Sequence, residues 1–277
     1  MGQYLNLDQQ ILHLAIDKSV MFKRSELEVA KKLLNDINYQ NFVSCSKIKF
    51  AEHFEPNLLM YKTATFKEWH EYFEMDSRCS YYLMENLLKF ERTINSRLSH
   101  LISKMMENNE FKNFEKNTLI QRIRTWQKKT QRLKSNKKIA CPYNGNKTWE
   151  LIPKMTFGEM KQLLFWFYDH RQDKYLEIVK EWTFLTDMKN VKDRIDEINR
   201  LRNSLAHFRP LTIYLTHGSI KYKPVKKDQF LDNTHRTEAV NFIYRYRRSQ
   251  QIQYELDQII GSSNNYVKIK NSQHNVG

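Results

Sequence analysis

Residues 83–105 read LMENLLKFERTINSRLSHLISKM, and this stretch decides the fold class. Its apolar side chains recur at steps of three and four residues, a spacing that places them on one side of an α-helix. Because the spacing is sustained over many turns, it predicts one long core helix from about Ser77 to Glu107. The apolar row consists of Leu83, Leu87, Phe90, Ile94, Leu98, Leu101 and Met105.

The rest of the chain also has the composition of a helical protein. The 277 residues include only 6 glycines and 5 prolines, whereas sheet proteins need such turn residues at short intervals. Segments that begin at Ser25, Thr65 and Thr156 each carry Glu three residues later, which is the capping-box pattern of a helix start. Further helices are expected near residues 8–17, 26–37, 118–134, 156–182 (with a break at 169–173), 187–205 and 235–260.

Two stretches depart from this helical periodicity. Residues 37–50 are expected to be irregular, with aromatic side chains that pack against the helices. Residues 211–225 alternate in polarity around a central His-Gly-Ser turn, which predicts one short β-hairpin. The predicted fold is therefore all-α, a helical bundle with one short β-hairpin. It forms a single domain over residues 1–260, followed by a flexible polar tail over 261–277.

Composition excludes several classes of protein. With 40% hydrophobic residues the chain can bury a core, which excludes wholesale disorder. Its longest apolar run, Leu163–Tyr168, is far shorter than a membrane-spanning helix. The N-terminus lacks a signal-peptide pattern, so we expect a cytoplasmic protein without stable membrane insertion. The 3 cysteines form no C-x-x-C pair, and the sequence has no phosphate-binding loop, HExxH or serine-hydrolase elbow, so no cofactor or metal is expected.

The formal net charge of +15 favours a polyanionic partner. Residues 117–149 contain no Asp or Glu and form a basic insert, with a helical stretch near 118–134. Trp126 in this insert can stack on a base, as in single-strand binders, or anchor an amphipathic helix. Both interpretations stay open. The cations predicted to bind RNA are Arg122, Arg124, Lys128, Lys129, Arg132, Lys134, Lys137 and Lys138.

Residues 201–208 read LRNSLAHF and contain the side chains best suited to chemistry. Arg202 and His207 are five residues apart, which is about 140° around an ideal helix. One copy of such a helix does not point both groups at a single atom. Convergence requires an irregularity in the helix or a second copy of the chain. By itself the pattern also fits an ordinary pair of surface residues.

The R-N-x-x-x-H motif at 202–207 is similar to the signature of the HEPN superfamily and, within it, of abortive-infection proteins of the AbiD/AbiF type. The segment INY at 37–39 resembles an early segment of that family. Residues 149–158 resemble its W-E-L…F-G segment. The resemblance covers about residues 7–210, which is most of the chain.

This resemblance implies a HEPN-type bundle that works as a homodimer, with the motifs of two copies facing each other. It implies a metal-independent endoribonuclease whose products carry a 2′,3′-cyclic phosphate and a 5′-hydroxyl. In that chemistry His207 takes or gives a proton, and Arg202 stabilises the negative charge that develops on the phosphate. Asn203 orients His207 or a phosphate oxygen. Glu91 and Arg97, on a helix similar to the family's E…R…H helix, have supporting roles.

The resemblance also implies an antiphage effector or toxin that an RNA or protein antitoxin restrains, so a regulatory RNA is an expected partner beside the RNA substrate. Two other classes stay open. The chain could be an RNA-binding module without nuclease activity, in which the motif is structural. It could also be a membrane-surface protein that uses the basic helix near 118–134. DNA binding would rest on charge alone, because the sequence has no helix-turn-helix signal.

Overall fold

The structure is a computed structural model, which describes residues 5–55, 58–110, 152, 155–217, 234–246 and 249–274. Within these ranges it has eleven helices and four short strands, so the prediction of an all-α protein is confirmed. The helices are α1 Leu7–Asp17, α2 Leu27–Asp36, α3 Tyr39–Phe50, α4 Phe66–Glu107, α5 Phe157–His170, α6 Gln172–Val179, α7 Thr183–Thr186, α8 Val191–Ala206, α9 Leu211–His217, α10 Thr234–Tyr246 and α11 Gln250–His274.

The strands form two small pairs. β1 (Val20–Met21) runs parallel to β4 (Ala64–Thr65), and β2 (Ala51–Glu55) pairs antiparallel with β3 (Leu58–Tyr61). The single hairpin of the described residues is therefore β2–β3. None of the described helices is long and apolar enough to span a membrane.

The long helix α4 confirms the interpretation of the apolar row. All seven of its predicted apolar residues are buried, with Leu83, Leu87 and Ile94 at 0% exposure. The helix begins at Phe66, well before the predicted start near Ser77. It begins there because the Thr65 capping box forms: the backbone N–H of Thr65 donates to Glu68 Oε2 at 2.7 Å, and the Glu68 N–H donates to Thr65 Oγ1 at 3.2 Å.

The other two predicted capping boxes have different outcomes. The Thr156 box forms at the start of α5, with Glu159 as its acidic partner. The Ser25 box does not form. Instead, the backbone N–H of Lys23 donates to Glu26 Oε2 at 3.2 Å over a short 3₁₀ turn, and α2 starts at Leu27.

The predicted hairpin at 211–225 is wrong in its first half, because Leu211–His217 is helix α9. Its backbone N–H groups find a partner on α4: the buried carboxylate of Asp76 accepts hydrogen bonds from the N–H groups of Leu211 and Thr212 at 2.8 and 2.7 Å. A carboxylate at this position stabilises a helix N-terminus. The second half of the predicted hairpin and the basic insert at 117–149 lie outside the described residues.

Two further segments that were not predicted to be helical are helical in the structure. Residues 37–50, predicted to be irregular, contain α3, which starts where the Asn38 side chain accepts the Asn41 N–H at 3.0 Å. The polar stretch after Gly261, predicted to be a flexible tail, continues α11 to His274. It is held by packing, since Tyr266 is buried in a cluster with Ile48 and Ala51. The predicted break near 169–173 is confirmed between α5 and α6.

The chain divides into two compact units, the first from residues 1–87 and 200–277 and the second from residues 88–199. Aromatic rings fill the core of the first unit. The rings of Phe50 and Trp69 stack with centroids 5.4 Å apart, and Phe42 packs against Phe66 at 5.7 Å. Also in the first unit, Arg78 on α4 and Glu255 on α11 form an ion pair of 2.9 Å.

The second unit has its own aromatic core. The Phe90 ring meets the Trp182 ring edge-on at 4.9 Å and lies 6.2 Å from the Phe157 ring. Tyr175 is fully buried, and its hydroxyl donates to the Leu185 carbonyl at 2.9 Å.

The buried environment of His217, at the end of α9, predicts that acid lowers the stability of the first unit. Burial, then the nearby cations Lys270, Lys47 and Arg236, lower the pKa of His217 to about 4. In the unfolded chain the His217 imidazole binds a proton near its usual pKa of about 6.5, whereas in the folded protein it stays neutral until about pH 4. The folded state therefore has its full stability above pH 6.5 and loses stability as the pH falls from there towards 4. We expect a loss of about 2 kcal/mol in the free energy of unfolding between pH 7 and 5 from this group.

The measurement is urea unfolding at both pH values for the wild type and His217→Gln. The variant should lose most of that difference. His235, an exposed histidine of α10, provides the control: His235→Gln should keep the wild-type difference. An identical pH dependence in wild type and His217→Gln would contradict the assignment.

Candidate active site

The R-N-x-x-x-H motif lies at the end of α8, where the helix stops abruptly. The N–H of Phe208 donates to the Leu205 carbonyl at 3.0 Å, and the N–H of Arg209 donates to the Ser204 carbonyl at 3.2 Å. This pair of bonds is the Schellman motif that closes a helix C-terminus. His207 is thus the first residue beyond α8. Its own N–H still donates to the Asn203 carbonyl at 3.2 Å, so the break in the helix follows the motif, and a convergence of Arg202 and His207 on one atom stays a prediction.

The closing turn is strained at Phe208. Its φ is 54°, in the left-handed region that glycine normally occupies at this position of the motif. A bulky aromatic residue there costs roughly 1–2 kcal/mol. The conformation is held by Asn41 of α3, whose side-chain amide donates to the Phe208 carbonyl at 3.1 Å. The Phe208 ring gains no burial in return, because it is 75% exposed.

Asp76 of α4 fixes the chain that leaves this turn. It is 1% exposed and accepts hydrogen bonds from the N–H groups of Leu211 and Thr212 and from the Thr212 hydroxyl. Ser80 donates a further bond to Oδ1 at 3.3 Å. Burial raises the pKa of the Asp76 carboxyl, while the bonds from Thr212 and Leu211 oppose that rise. The turn is therefore held at both ends, by Asn41 and by Asp76.

The side chains of the motif divide into a buried and an accessible set. Ser204 and Leu205 are buried. Asn203 and His207 are exposed, and their side chains make no hydrogen bond or ion pair with another described residue. Arg202 is partly buried and has contacts of its own. The end of α8 therefore offers an imidazole and an amide to a ligand, one turn of helix apart.

A cavity of about 260 Å³ lies between α4 and this turn. Two exposed aromatic residues line it, Tyr81 from α4 and Phe208 from the turn, with exposed fractions of 67% and 75%. Arg209 lines it as well, and its guanidinium has no hydrogen-bond or ion-pair partner among the described residues. The other lining residues are Phe73, Asp76, Ser77, Ser80, Met84, Leu205, Ala206 and Pro210.

The predicted supporting residues lie in the second unit. Arg97 donates to the Ile178 carbonyl at 2.8 Å, pairs with Glu181 and lies over the Trp182 ring at 4.6 Å. These contacts give Arg97 a structural role in that unit. Glu91 is partly buried and has contacts. A supporting role of either residue in catalysis stays a prediction, as does RNA binding by the eight cations of the insert, which lie outside the described residues.

Sequence reasoning did not identify Tyr81, Phe208 or Arg209. Pro210 offered one signal for the turn, since proline is common within three residues of a helix end. Tyr81 gave none, because an aromatic residue on a long amphipathic helix is usually a packing residue.

Phe208→Gly should stabilise the protein. Glycine adopts a φ of 54° without the steric cost, and little buried area is lost because the ring is exposed. We expect the free energy of unfolding to rise by about 1 kcal/mol. Phe208→Ala keeps the Cβ and is the matched control, with no such gain expected. Urea unfolding of the three proteins checks this, and equal stability of the Gly and Ala variants would refute the strain.

Asp76→Ala should strongly destabilise the first unit. The substitution leaves the buried N–H groups of Leu211 and Thr212 without acceptors, which costs about 3 kcal/mol or more in the free energy of unfolding. The control is Glu74→Ala, two residues earlier on α4, where an exposed carboxylate lies 3.7 Å from His70 and interacts with Arg78 through charge alone. This control should stay within about 0.5 kcal/mol of wild type. Comparable losses in both variants would argue against the anchoring role of Asp76.

Comparison with known proteins bears on the same region. A protein family described as "Abi-like protein" matches residues 32–212, a span that includes α8, the turn and the start of α9. No curated protein and no solved structure matches the chain.

Proposed function

The chain belongs to the Abi-like protein family, and from this premise we propose that it is a metal-independent endoribonuclease acting as an antiphage abortive-infection effector or toxin. Family membership supports an abortive-infection type of function. The chemistry, substrate and regulation are our proposal. It includes RNA as substrate, a homodimer as the working form, the cytoplasm as location, and restraint by an RNA or protein antitoxin.

One observation carries the proposal: a strained and doubly anchored turn exposes His207 at the end of α8. A strained backbone persists only where surrounding contacts impose it, and such residues cluster at functional sites. Here Asn41 and Asp76 supply those contacts. Asn203 and His207 are left without partners among the described side chains, which suits groups that bind substrate.

The proposed reaction is a transesterification within the RNA strand. His207 removes the proton from a ribose 2′-hydroxyl, and the 2′-oxygen attacks the adjacent phosphorus. Arg202 stabilises the negative charge on the phosphoryl oxygens with its planar set of donors. Asn203 orients the imidazole or a phosphate oxygen. The bond from phosphorus to the 5′-oxygen then breaks, which leaves a 2′,3′-cyclic phosphate and a 5′-hydroxyl.

The leaving 5′-oxygen needs a proton, and a second His207 could supply it. In a homodimer with facing motifs, one imidazole acts as base while the other, protonated, acts as acid. The net charge of +15 supports attraction of RNA to the protein.

The test is cleavage of end-labelled total RNA in EDTA by the purified full-length protein. His207→Ala and Arg202→Ala should each lower the cleavage rate by about 100-fold or more, because each removes a group that acts in the transition state. Wild-type products should carry cyclic-phosphate ends.

Three control variants distinguish a loss of catalytic groups from a loss of folded protein. His235→Ala and Arg245→Ala remove an exposed histidine and an exposed arginine of α10. Ser204→Ala changes the motif itself at a buried hydroxyl that finds no hydrogen-bond partner among the described residues. All three should cleave like wild type. Undiminished cleavage by His207→Ala would refute the proposal. Tight, salt-dependent RNA binding without cleavage would favour an RNA-binding module instead.

A further inference from the structure

We infer that the cavity beside His207 is a binding site for one unpaired nucleobase of the RNA strand, with the rings of Tyr81 and Phe208 as stacking surfaces and Arg209 as a phosphate ligand. The inference rests on the proposed function and adds the recognition of a base next to the bond that is cut.

The placement of exposed aromatic residues is the first reason. Three large aromatic side chains, Tyr81, Phe208 and Tyr254, are strongly exposed among the described residues. Two of the three line this one cavity. Aromatic rings that are left accessible beside a groove are the platforms on which single-strand binders stack bases, whatever the sequence of the strand.

The strain at Phe208 is the second reason. Burial in the protein core does not explain an aromatic residue here, because the ring is 75% exposed. Glycine would suit the φ of 54° better. A ring retained at this cost, directly after the proposed catalytic histidine, fits a role in holding substrate.

The charge inside the cavity is the third reason. Arg209 is partly buried, yet its guanidinium pairs with no described carboxylate. A cation that is partly removed from water favours an anionic ligand, and the arginine fork matches a phosphate. The one carboxylate in the cavity wall, Asp76, is occupied by the N–H groups of Leu211 and Thr212.

The lining of the cavity suits a flat ring with one polar edge. Its wall is largely apolar, with Phe73, Met84 and Leu205 from α4 and α8. Two hydroxyls, those of Ser77 and Ser80, supply polarity along α4. Each donates its proton within α4, to the Phe73 carbonyl and to Asp76 respectively. Both oxygens therefore remain acceptors for an N–H group on the edge of a base.

The experiment measures binding of single-stranded RNA oligonucleotides to full-length His207→Ala, which keeps the strand intact. The oligonucleotide contains a site that wild type cleaves, and a series replaces each nucleotide in turn by an abasic one. One position close to the cleaved bond should show a penalty of about 5- to 150-fold in Kd, the range for loss of one stacked base.

Variants of the cavity residues test whether the loss of affinity at the abasic position arises from the cavity. Phe208→Ala and Tyr81→Ala remove the rings, and Ser77→Leu fills the cavity at a hydroxyl that donates to the Phe73 carbonyl of its own helix. Each should weaken binding of the intact strand and abolish the extra penalty of the abasic position, because the two changes remove the same contact. Tyr254→Ala, which removes the exposed aromatic residue away from the cavity, should behave like the parent.

Loss of the penalty in the cavity variants, but not in Tyr254→Ala, supports the inference. A penalty that survives Phe208→Ala and Ser77→Leu overturns it. So does an abasic series without any position dependence. If the cavity instead holds a second copy of the chain, sedimentation will show that these variants lower the oligomer mass while the abasic penalty persists, which also overturns it.

The experiments distinguish failure of the nuclease proposal from failure of the base-binding inference. Cleavage by wild type, with no effect of the cavity variants on base dependence, would leave the nuclease standing and remove the base site. If wild type cleaves no RNA, the abasic series is made on an oligonucleotide that it binds. A cavity-dependent penalty there would keep the base site and remove the nuclease.

Discussion

Asp76 on the long helix accepts hydrogen bonds from the first two N–H groups of α9. These two groups are separated from Asp76 by 135 and 136 positions along the chain. This contact fixes where the chain goes after the motif. Without an acceptor at that place, the N-terminus of α9 would bury two unsatisfied donors, which a folded protein rarely tolerates. The carboxylate is nearly inaccessible to solvent, so the bonds also offset the cost of burying it. The position of the turn between α8 and α9 therefore depends on this group at one end, as it depends on Asn41 at the other.

The turn itself combines a favourable and an unfavourable element. The Schellman bonds and the Asn41 contact satisfy its backbone groups. The left-handed Phe208 works against them. Proteins keep such conflicts where function needs them, and sequences that relieve them tend to be more stable and less active.

Several elements could be predicted because their causes are local in the sequence. The apolar row of α4 follows from a repeated spacing, and the Thr65 and Thr156 boxes pair residues three positions apart. Two of the errors, at residues 211–217 and after Gly261, involve partners that are far away in the sequence. Leu211–His217 is too short for periodicity to separate a buried helix from a strand. The polar segment after Gly261 is helical because Tyr266 packs on Ile48 and Ala51 from the other end of the chain.

The sequence by itself determined the helical class, the long central helix and the position of the Arg202, Asn203 and His207 motif near a helix end. Only the tertiary structure decided that the helix closes at Phe208 in a left-handed turn, that α9 follows it, and that Tyr81 and Arg209 share a cavity with that turn. The physical reason is the distance along the chain between partners. Asn41 and Asp76, which hold the turn, are separated from it by well over one hundred residues.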